Sequence, residues 1–349
     1  MNDATTIERP ALRRAEAPRD GAPLLELRGI EKRFSPPADW IQKLAVRAGL
    51  APPAPVVHAV DRVDLAVRQG EVIGIAGESG CGKSTLGRLA VGLLKPSGGQ
   101  RLWRGQAIDT LPPAEQRRIA LKLQMVFQDP YASLNPRRRV EAIVGEAPVF
   151  HGLVPASQRR GYVADWLERV GLDPAVMARF PHQFSGGQRA RVGIARALAL
   201  QSELVVCDEA VAALDVSIQA QVINLLARLR AELGLTLVFI SHDLGVIRHL
   251  SDRVVVMYLG RVVESAPADR LFAAPRHPYT QALLAESPRL EVRKKDFIAI
   301  RGELPSPLAP PSGCHYHPRC PHAMPKCSAE APSLNQDAAG HQAACHLLD

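Results

Sequence analysis

The chain has 349 residues, 46% of them hydrophobic, enough for one full-sized core and an appendage. Its 43 Lys and Arg against 35 Asp and Glu give a formal net charge of +8. That balance suits a partner bearing phosphates, either nucleic acid or an anionic membrane face, although an Arg-rich composition alone gives the same sum. No run reaches the roughly 18–20 apolar residues that cross a bilayer. The N-terminal stretch carries Asp3, Glu8, Arg13, Arg14 and Glu16 without an apolar core, so no signal peptide is expected and the chain is expected to stay in the cytoplasm.

In chain order, residues 1–22 read as a flexible tail, because Ala, Pro, Arg and Asp dominate and no apolar period develops. Leu24–Ile30 and Val60–Val67 read as strands. Between them a proline-bracketed insert, Ser35–Pro55, contains Trp40, Ile41, Leu44 and Val46 at the spacing of a short amphipathic turn. Val72–Ala76 is an apolar strand that runs into a glycine-rich loop, and Thr85–Leu94 follows as a helix. Leu123–Phe127, Leu204–Cys207 and Leu235–Ile240 are continuous apolar runs, the pattern of strands buried on both faces. Ile218, Val222, Leu225, Leu226 and Leu229 repeat at helical spacing between the last two. Such alternation predicts a parallel α/β sheet. Residues 131–185 are helix-rich and predict an inserted helical lobe. Past about residue 265, Pro and Cys become frequent and apolar runs fade, which marks a separate C-terminal extension.

The chemistry is concentrated in five places. Gly77-Glu78-Ser79-Gly80-Cys81-Gly82-Lys83-Ser84 satisfies GxxxxGK[ST] between a strand and a helix, with Thr85 opening that helix. Glycines let successive backbone N–H groups turn toward phosphates; Lys83 is expected to reach the β- and γ-phosphates, and the Ser84 hydroxyl to ligate Mg²⁺. This pattern predicts a P-loop NTPase fold that binds nucleotide. Leu204–Cys207 ends in Asp208 and Glu209: the first is placed to hold the Mg²⁺ shell, the second to polarise the attacking water. Gln128 follows the Leu123–Phe127 strand, where its amide can join the Mg²⁺ and water shell. His242 follows the Leu235–Ile240 strand, where it can contact a γ-phosphate. Finally, Ser185-Gly186-Gly187-Gln188 offers a hydroxyl and backbone donors at a helix start.

Together these pieces resemble the ATP-binding subunit of an ABC transporter. Walker A is Gly77–Ser84, the Q-loop is at Gln128, and the signature is Ser185–Gln188. Walker B is Leu204–Asp208 followed by Glu209, the D-loop is Ala213-Leu214-Asp215, and the switch residue is His242. The resemblance implies an ABC ATPase domain over residues 23–264 with a helical subdomain at about 131–189, and an extension over 265–349. It also implies a head-to-tail pair in which each ATP lies between one subunit's phosphate loop and the other's signature. Three positions depart from the family pattern: Phe184 before the signature, Ala210 after Glu209, and Ala212, which removes a hydroxyl able to reach across the pair. The segment Phe127–Arg137, the run Leu214–Val222, His277-Pro278-Tyr279-Thr280, Gly302–Pro307 and His317-Pro318-Arg319-Cys320-Pro321 look like those of dipeptide and oligopeptide importers. Membership in that group implies two transmembrane permease subunits, a related ATPase as the partner in the pair, and an extracytoplasmic peptide-binding protein. It places the chain peripherally on the cytoplasmic side of the cell inner membrane. Importers of glutathione or nickel share much of this layout.

Of six cysteines, Cys81 and Cys207 read as packing residues. Cys314, Cys320, Cys327 and Cys345 cluster in the extension, and in a cytosolic protein clustered thiols favour metal over disulfides. Four thiolates fit Zn²⁺ or an iron–sulfur cluster, with His315, His317, His322 and His346 as competing ligands. Similar tails in peptide importers imply a [4Fe–4S] cluster; Zn²⁺ and plain thiols stay open. Phe34, Trp40 and His58 are the candidates for stacking on adenine. Two other functions fit the sequence less well. A soluble ABC ATPase on nucleic acid or the ribosome would need long coiled coils or tandem ATPase domains, which the chain lacks. An iron–sulfur sensor with a regulatory ATP site would be expected to have a degenerate one.

Overall fold

Stretches of β-branched and aliphatic residues with no polar face, too short for a helix, make strands that must be covered on both sides. In the computed structural model, which describes residues 22–36, 55–212, 214–286 and 302–349, they form the centre of the molecule. The chain opens with β1 (Leu25–Phe34) and β2 (Val57–Val67), an antiparallel pair. The fully buried β3 (Val72–Ala76) leads through the glycine loop into α1 (Lys83–Ala90). β4 (Gly98–Trp103) and β5 (Gln106–Ala107) then complete a four-stranded antiparallel sheet ordered β2-β1-β4-β5.

The second sheet carries the chemistry. α2 (Pro113–Lys122) precedes β6 (Leu123–Val126), after which α3 (Pro130–Ser133), α4 (Val140–Phe150), α5 (Arg159–Arg169) and α6 (Gly186–Leu198) follow without an intervening strand. Next come β7 (Leu204–Asp208), α7 (Val216–Leu233), β8 (Thr236–Ile240), α8 (Leu244–Leu250), β9 (Arg253–Tyr258) and β10 (Arg261–Pro267). The C-terminal part adds α9 (Ala268–Ala273), α10 (Pro278–Glu286), α11 (Pro325–Ala329), β11 (Asn335–Gln336) and β12 (Gln342–Ala343). The sheet order is β11-β12-β10-β9-β3-β8-β7-β6. From β6 to β9 all neighbours are parallel; from β9 outward they are antiparallel. Helix α1 lies between the two sheets, where Leu86 and Leu89 share a core with Leu25, Leu27, Ile73, Ile75 and Val206. Gly87 permits this closeness, since a Cβ there would press on Ile240 and Val206. The opposite face of the parallel strands shares a core with α6 and the apolar stripe of α7, and Val144, Val163, Trp166 and Leu167 of α4 and α5 join the same cluster by packing on α6.

The parallel core matches the expectation from strand–helix alternation. The antiparallel sheet is a separate layer that the apolar runs Leu24–Ile30 and Val60–Val67 do not announce, because strand pairing leaves no mark on the pattern of a single strand. The helix expected over Thr85–Leu94 starts two residues earlier and stops at Ala90, where the chain turns through Gly92 at φ 81°. Most of the tail and of the insert, including Trp40, Ile41, Leu44 and Val46, lies outside the described residues, as does Ala213.

The C-terminal part shares sheet and core with the rest. β10 crosses residue 265, β12 and β11 extend the same sheet, and Tyr279 and Tyr316 pack with Ala76, Leu244 and Tyr258 in one cluster. Ring centroids in the tyrosine trio stand 4.7–5.4 Å apart. Against this cluster sits His277, wholly buried, its Nδ1 accepting the Tyr279 N–H at 3.0 Å while its backbone N–H donates to the buried Glu264 carboxylate. Burial pushes its imidazole from 6.5 down to about 4, against a lesser opposing hydrogen bond with the Ala344 backbone. The unfolded chain therefore takes up a proton before the folded one does. Stability present above pH 6.5 is lost as pH falls toward 4, by up to about 3 kcal/mol. Urea midpoints at pH 7 and pH 5 are expected to differ less in H277Q than in the parent chain.

Candidate nucleotide-hydrolysis site

Because β3, β6, β7 and β8 run parallel, the residues that follow each of them emerge at one edge of the sheet, as ligand sites in such sheets do. After β3, Gly77 and Gly82 take φ 147° and 104°. Glycine is required at both, since a Cβ would run into the carbonyls of Met257 and Ala59. The loop closes around Lys83, whose buried ammonium donates to the Gly77 carbonyl at 2.7 Å and the Glu78 carbonyl at 2.8 Å. The Cys81 thiol is buried beside it, and burial raises its pKa; Cys207 in β7 is likewise pushed up to about 12. Both behave as packing residues.

The Ser84 hydroxyl donates to Asp208 Oδ1 at 2.7 Å, so the two residues expected to share a cation touch. Asp208 is almost fully enclosed. Burial raises its carboxyl pKa, opposed by the Ser84 hydrogen bond and by the charges of Arg88 and Lys83. A carboxylate held back in this way gains from a divalent cation at its side.

At the sharp turn after β7, Glu209 has φ 46°, the left-handed region that costs a non-glycine residue about 1–2 kcal/mol. Its N–H is fixed to the Ile240 carbonyl at 2.9 Å. The turn brings its carboxylate between two neighbours: Gln128 Nε2 donates to Glu209 Oε2 at 2.7 Å, and His242 Nδ1 stands 3.7 Å from the same oxygen. Three strand ends thus converge on one carboxylate. The His242 side chain is 63% exposed and free to meet a ligand from solvent.

Ser185 is the N-cap of α6. Its hydroxyl accepts from the Gln188 N–H at 3.3 Å, and the Gln188 amide oxygen accepts the Ser185 N–H at 3.0 Å, a reciprocal capping box. Gln188 is thereby committed to the helix start. Gly186 and Gly187 lie under Leu214 and Ile218, and a side chain at Gly187 would strike Ile218. Phe184 anchors the turn in the core. Among the described residues, no hydrogen bond or ion pair joins Ser185–Gln188 to Gly77–Ser84; the exposed Ser185 faces outward.

Three residues hold the site in ways the sequence does not announce. Arg189, buried on α6, donates to the Pro181 carbonyl at 2.7 Å and stacks its guanidinium 3.5 Å from the Tyr131 ring, tying the signature helix to the segment after Gln128. Arg319 and Tyr279, both from the C-terminal part, reach Glu78 in the phosphate loop. Among the adenine candidates, Phe34 is exposed with Lys32 Nζ 5.1 Å from its ring centroid, and His58 is pinned by its N–H to the Pro307 carbonyl.

The four C-terminal cysteines line one cavity together with His277, Tyr316, His317, His322 and His346. All are free thiols; burial raises Cys314 to about 11 and also raises Cys320 and Cys345. As a donor set, four converging thiols fit a thiolate-bound group. Among the described residues, however, no three His, Cys, Asp or Glu side chains are drawn together closely enough to hold a metal ion.

Residues 60–212 match the sequence model of the ABC transporter family, and residues 263–327 that of the oligopeptide/dipeptide transporter C-terminal region. The oligopeptide transport ATP-binding protein AppF of Bacillus subtilis is 49% identical over 93% of this chain and 97% of its own length. The chain belongs to the ATP-binding subunits of the oligopeptide/dipeptide group of ABC transporters. Another relative, the oligopeptide transport ATP-binding protein OppF of Escherichia coli, is 46% identical over 85% of this ABC subunit and 90% of its own length. Among solved structures, the dimeric post-hydrolysis state of the ATP-binding cassette MJ0796 with ADP and Pi superposes with a TM-score of 0.59. It is 27% identical and covers 70% of this ABC subunit and 98% of that chain. The fold is that of an ABC ATPase cassette. Among its described residues, no helix is long and apolar enough to cross a membrane.

Proposed function

We propose that this ATPase subunit powers import of dipeptides or oligopeptides, with ATP closing a pair of cassettes and hydrolysis releasing them. The observation that carries the hydrolytic half is the convergence of Gln128 and His242 on the Glu209 carboxylate, beside the bonded pair Ser84 and Asp208. In this reading Gly77–Thr85 cradle the triphosphate and Lys83 pairs its β- and γ-phosphates. Ser84, Asp208 and Gln128 would hold Mg²⁺, which would supply positive charge against the triphosphate. Glu209 orients water in line with the leaving oxygen, and His242 contacts the γ-phosphate from the exposed side. Ser185 and the N–H groups of Gly186 and Gly187 close the site from the facing subunit. The likeness to AppF and OppF supports a peptide as solute.

The same reading takes residues 23–264 as the cassette, about 131–189 as its helical subdomain, and 265–349 as the extension. The helical subdomain and the Gln128–Arg137 loop face two membrane-spanning permease subunits. The second cassette is a related ATPase, an extracytoplasmic binding protein delivers the solute, and this chain lies peripherally on the cytoplasmic side of the inner membrane. In a strain lacking the chain, uptake of a labelled tripeptide is expected to be lost. It should return with the parent gene and not with K83A. Uptake equal in all three strains would overturn the assignment.

For the C-terminal thiols the finer reading is a [4Fe–4S] cluster held by Cys314, Cys320, Cys327 and Cys345, with Zn²⁺ as the alternative. The bound group would supply a structural cross-link to a segment with little regular structure. Anaerobically purified protein is expected to carry iron that C320S lacks. Metal-free parent protein, or equal iron in both, would contradict it.

A further inference from the structure

The C-terminal part touches the phosphate loop at one residue, from two directions. Arg319 Nη1 donates to Glu78 Oε2 at 2.8 Å and to the Tyr258 hydroxyl at 3.4 Å. The Tyr279 hydroxyl accepts the Glu78 backbone N–H at 2.8 Å. The third polar group of Glu78, its carbonyl, accepts from Lys83 Nζ. The backbone N–H, the carbonyl and one carboxylate oxygen of this loop residue are therefore held, the first and last by residues more than 200 positions downstream. The ion pair is enclosed, with the Arg319 side chain 8% and that of Glu78 21% exposed.

The support behind these contacts is stiff. Tyr279 packs in the buried tyrosine trio, and its N–H is fixed by His277. A second tether runs parallel: the Gly260 N–H donates to the Cys81 carbonyl at 2.9 Å, and His315 Nδ1 lies 3.1 Å from the neighbouring Leu259 carbonyl. Glu78 also poses an electrostatic problem. It is an acid within a loop built to grip a triphosphate, and in an enclosed setting like charges repel strongly. Arg319 neutralises that acid and holds its carboxylate at the tyrosine side of the loop.

We propose that Arg319 and Tyr279 are positioning residues for ATP binding, acting through Glu78 to hold the phosphate loop in its gripping shape and to cancel the loop's own negative charge. The motifs His277–Thr280 and His317–Pro321 thereby acquire a role at the nucleotide site. The proposal rests on the reading of Gly77–Ser84 as the triphosphate grip.

The test is titration of the full chain with a fluorescent ATP analogue and Mg²⁺, using R319M, R319K, E78Q, Y279F and the double variant E78Q/R319M. R319M is expected to weaken binding about tenfold, R319K to recover part of that, and R319M to matter much less once E78Q has removed the acid. General loss of structure would instead lower affinity equally in both backgrounds. Y279F, which deletes a single oxygen, is expected to weaken binding a few-fold and carries the test should R319M fail to fold. R319M within about twofold of the parent, an equal loss with and without the Glu78 carboxylate, or unchanged binding by Y279F would overturn the proposal. K83A separates failure of the underlying site: it is expected to abolish binding whatever stands at position 319, and unimpaired binding by K83A would overturn the phosphate-grip reading as well.

Discussion

Replacing Glu209 by Gln is expected to leave ATP binding intact while lowering turnover about 10²–10⁴-fold, the usual worth of a positioned general base. Gln is nearly isosteric with Glu, so the tight turn at φ 46° and the hydrogen bond from the Glu209 N–H to Ile240 should survive. What is lost is the anion that meets Gln128 at 2.7 Å and His242 at 3.7 Å. Without it, water opposite the leaving phosphate is no longer polarised, and the closed pair should persist with ATP inside. Single-turnover hydrolysis and size-exclusion chromatography with MgATP check both halves: little phosphate release and a stable dimer. Wild-type turnover in E209Q would move the water-orienting role to another residue.

The site was more legible in the sequence than the molecule around it. Its residues follow ends of continuous apolar strands, and parallel strands bring such ends to one edge whatever the helices do. That is why Lys83, Gln128, Asp208, Glu209 and His242 could be grouped without coordinates. The contacts on Glu78 were not legible for the opposite reason. Arg319 and Tyr279 sit in a Pro- and Cys-rich stretch without apolar periodicity, held by edge-to-face rings and single hydrogen bonds instead of an amphipathic face. Composition marked that stretch as an appendage; β10, β12 and β11 carry it into the same sheet. Arg189 was hidden too, because a guanidinium stacked on Tyr131 leaves no spacing rule in the chain. Gln188 illustrates a subtler limit: its place in the signature reads as ligand contact, while its side chain completes the helix cap.

In the proposed cycle each ATP is sealed by Ser185–Gly187 of a facing cassette. Gly187 is a poor place to probe it, since any side chain there would strike Ile218 of its own chain. Ser185 is exposed, and Asp caps helices as well as Ser does. S185D should therefore fold normally, keep its capping bond to Gln188, and set a carboxylate where a γ-phosphate is to dock. The decisive measurement is steady-state ATP hydrolysis by purified S185D beside its partner cassette carrying the matching substitution, with nucleotide affinity of each separate chain as control. Unchanged affinity with hydrolysis reduced about 10²-fold is expected, the scale on which one charge-stabilising donor acts. Hydrolysis at the parental rate would contradict the shared site.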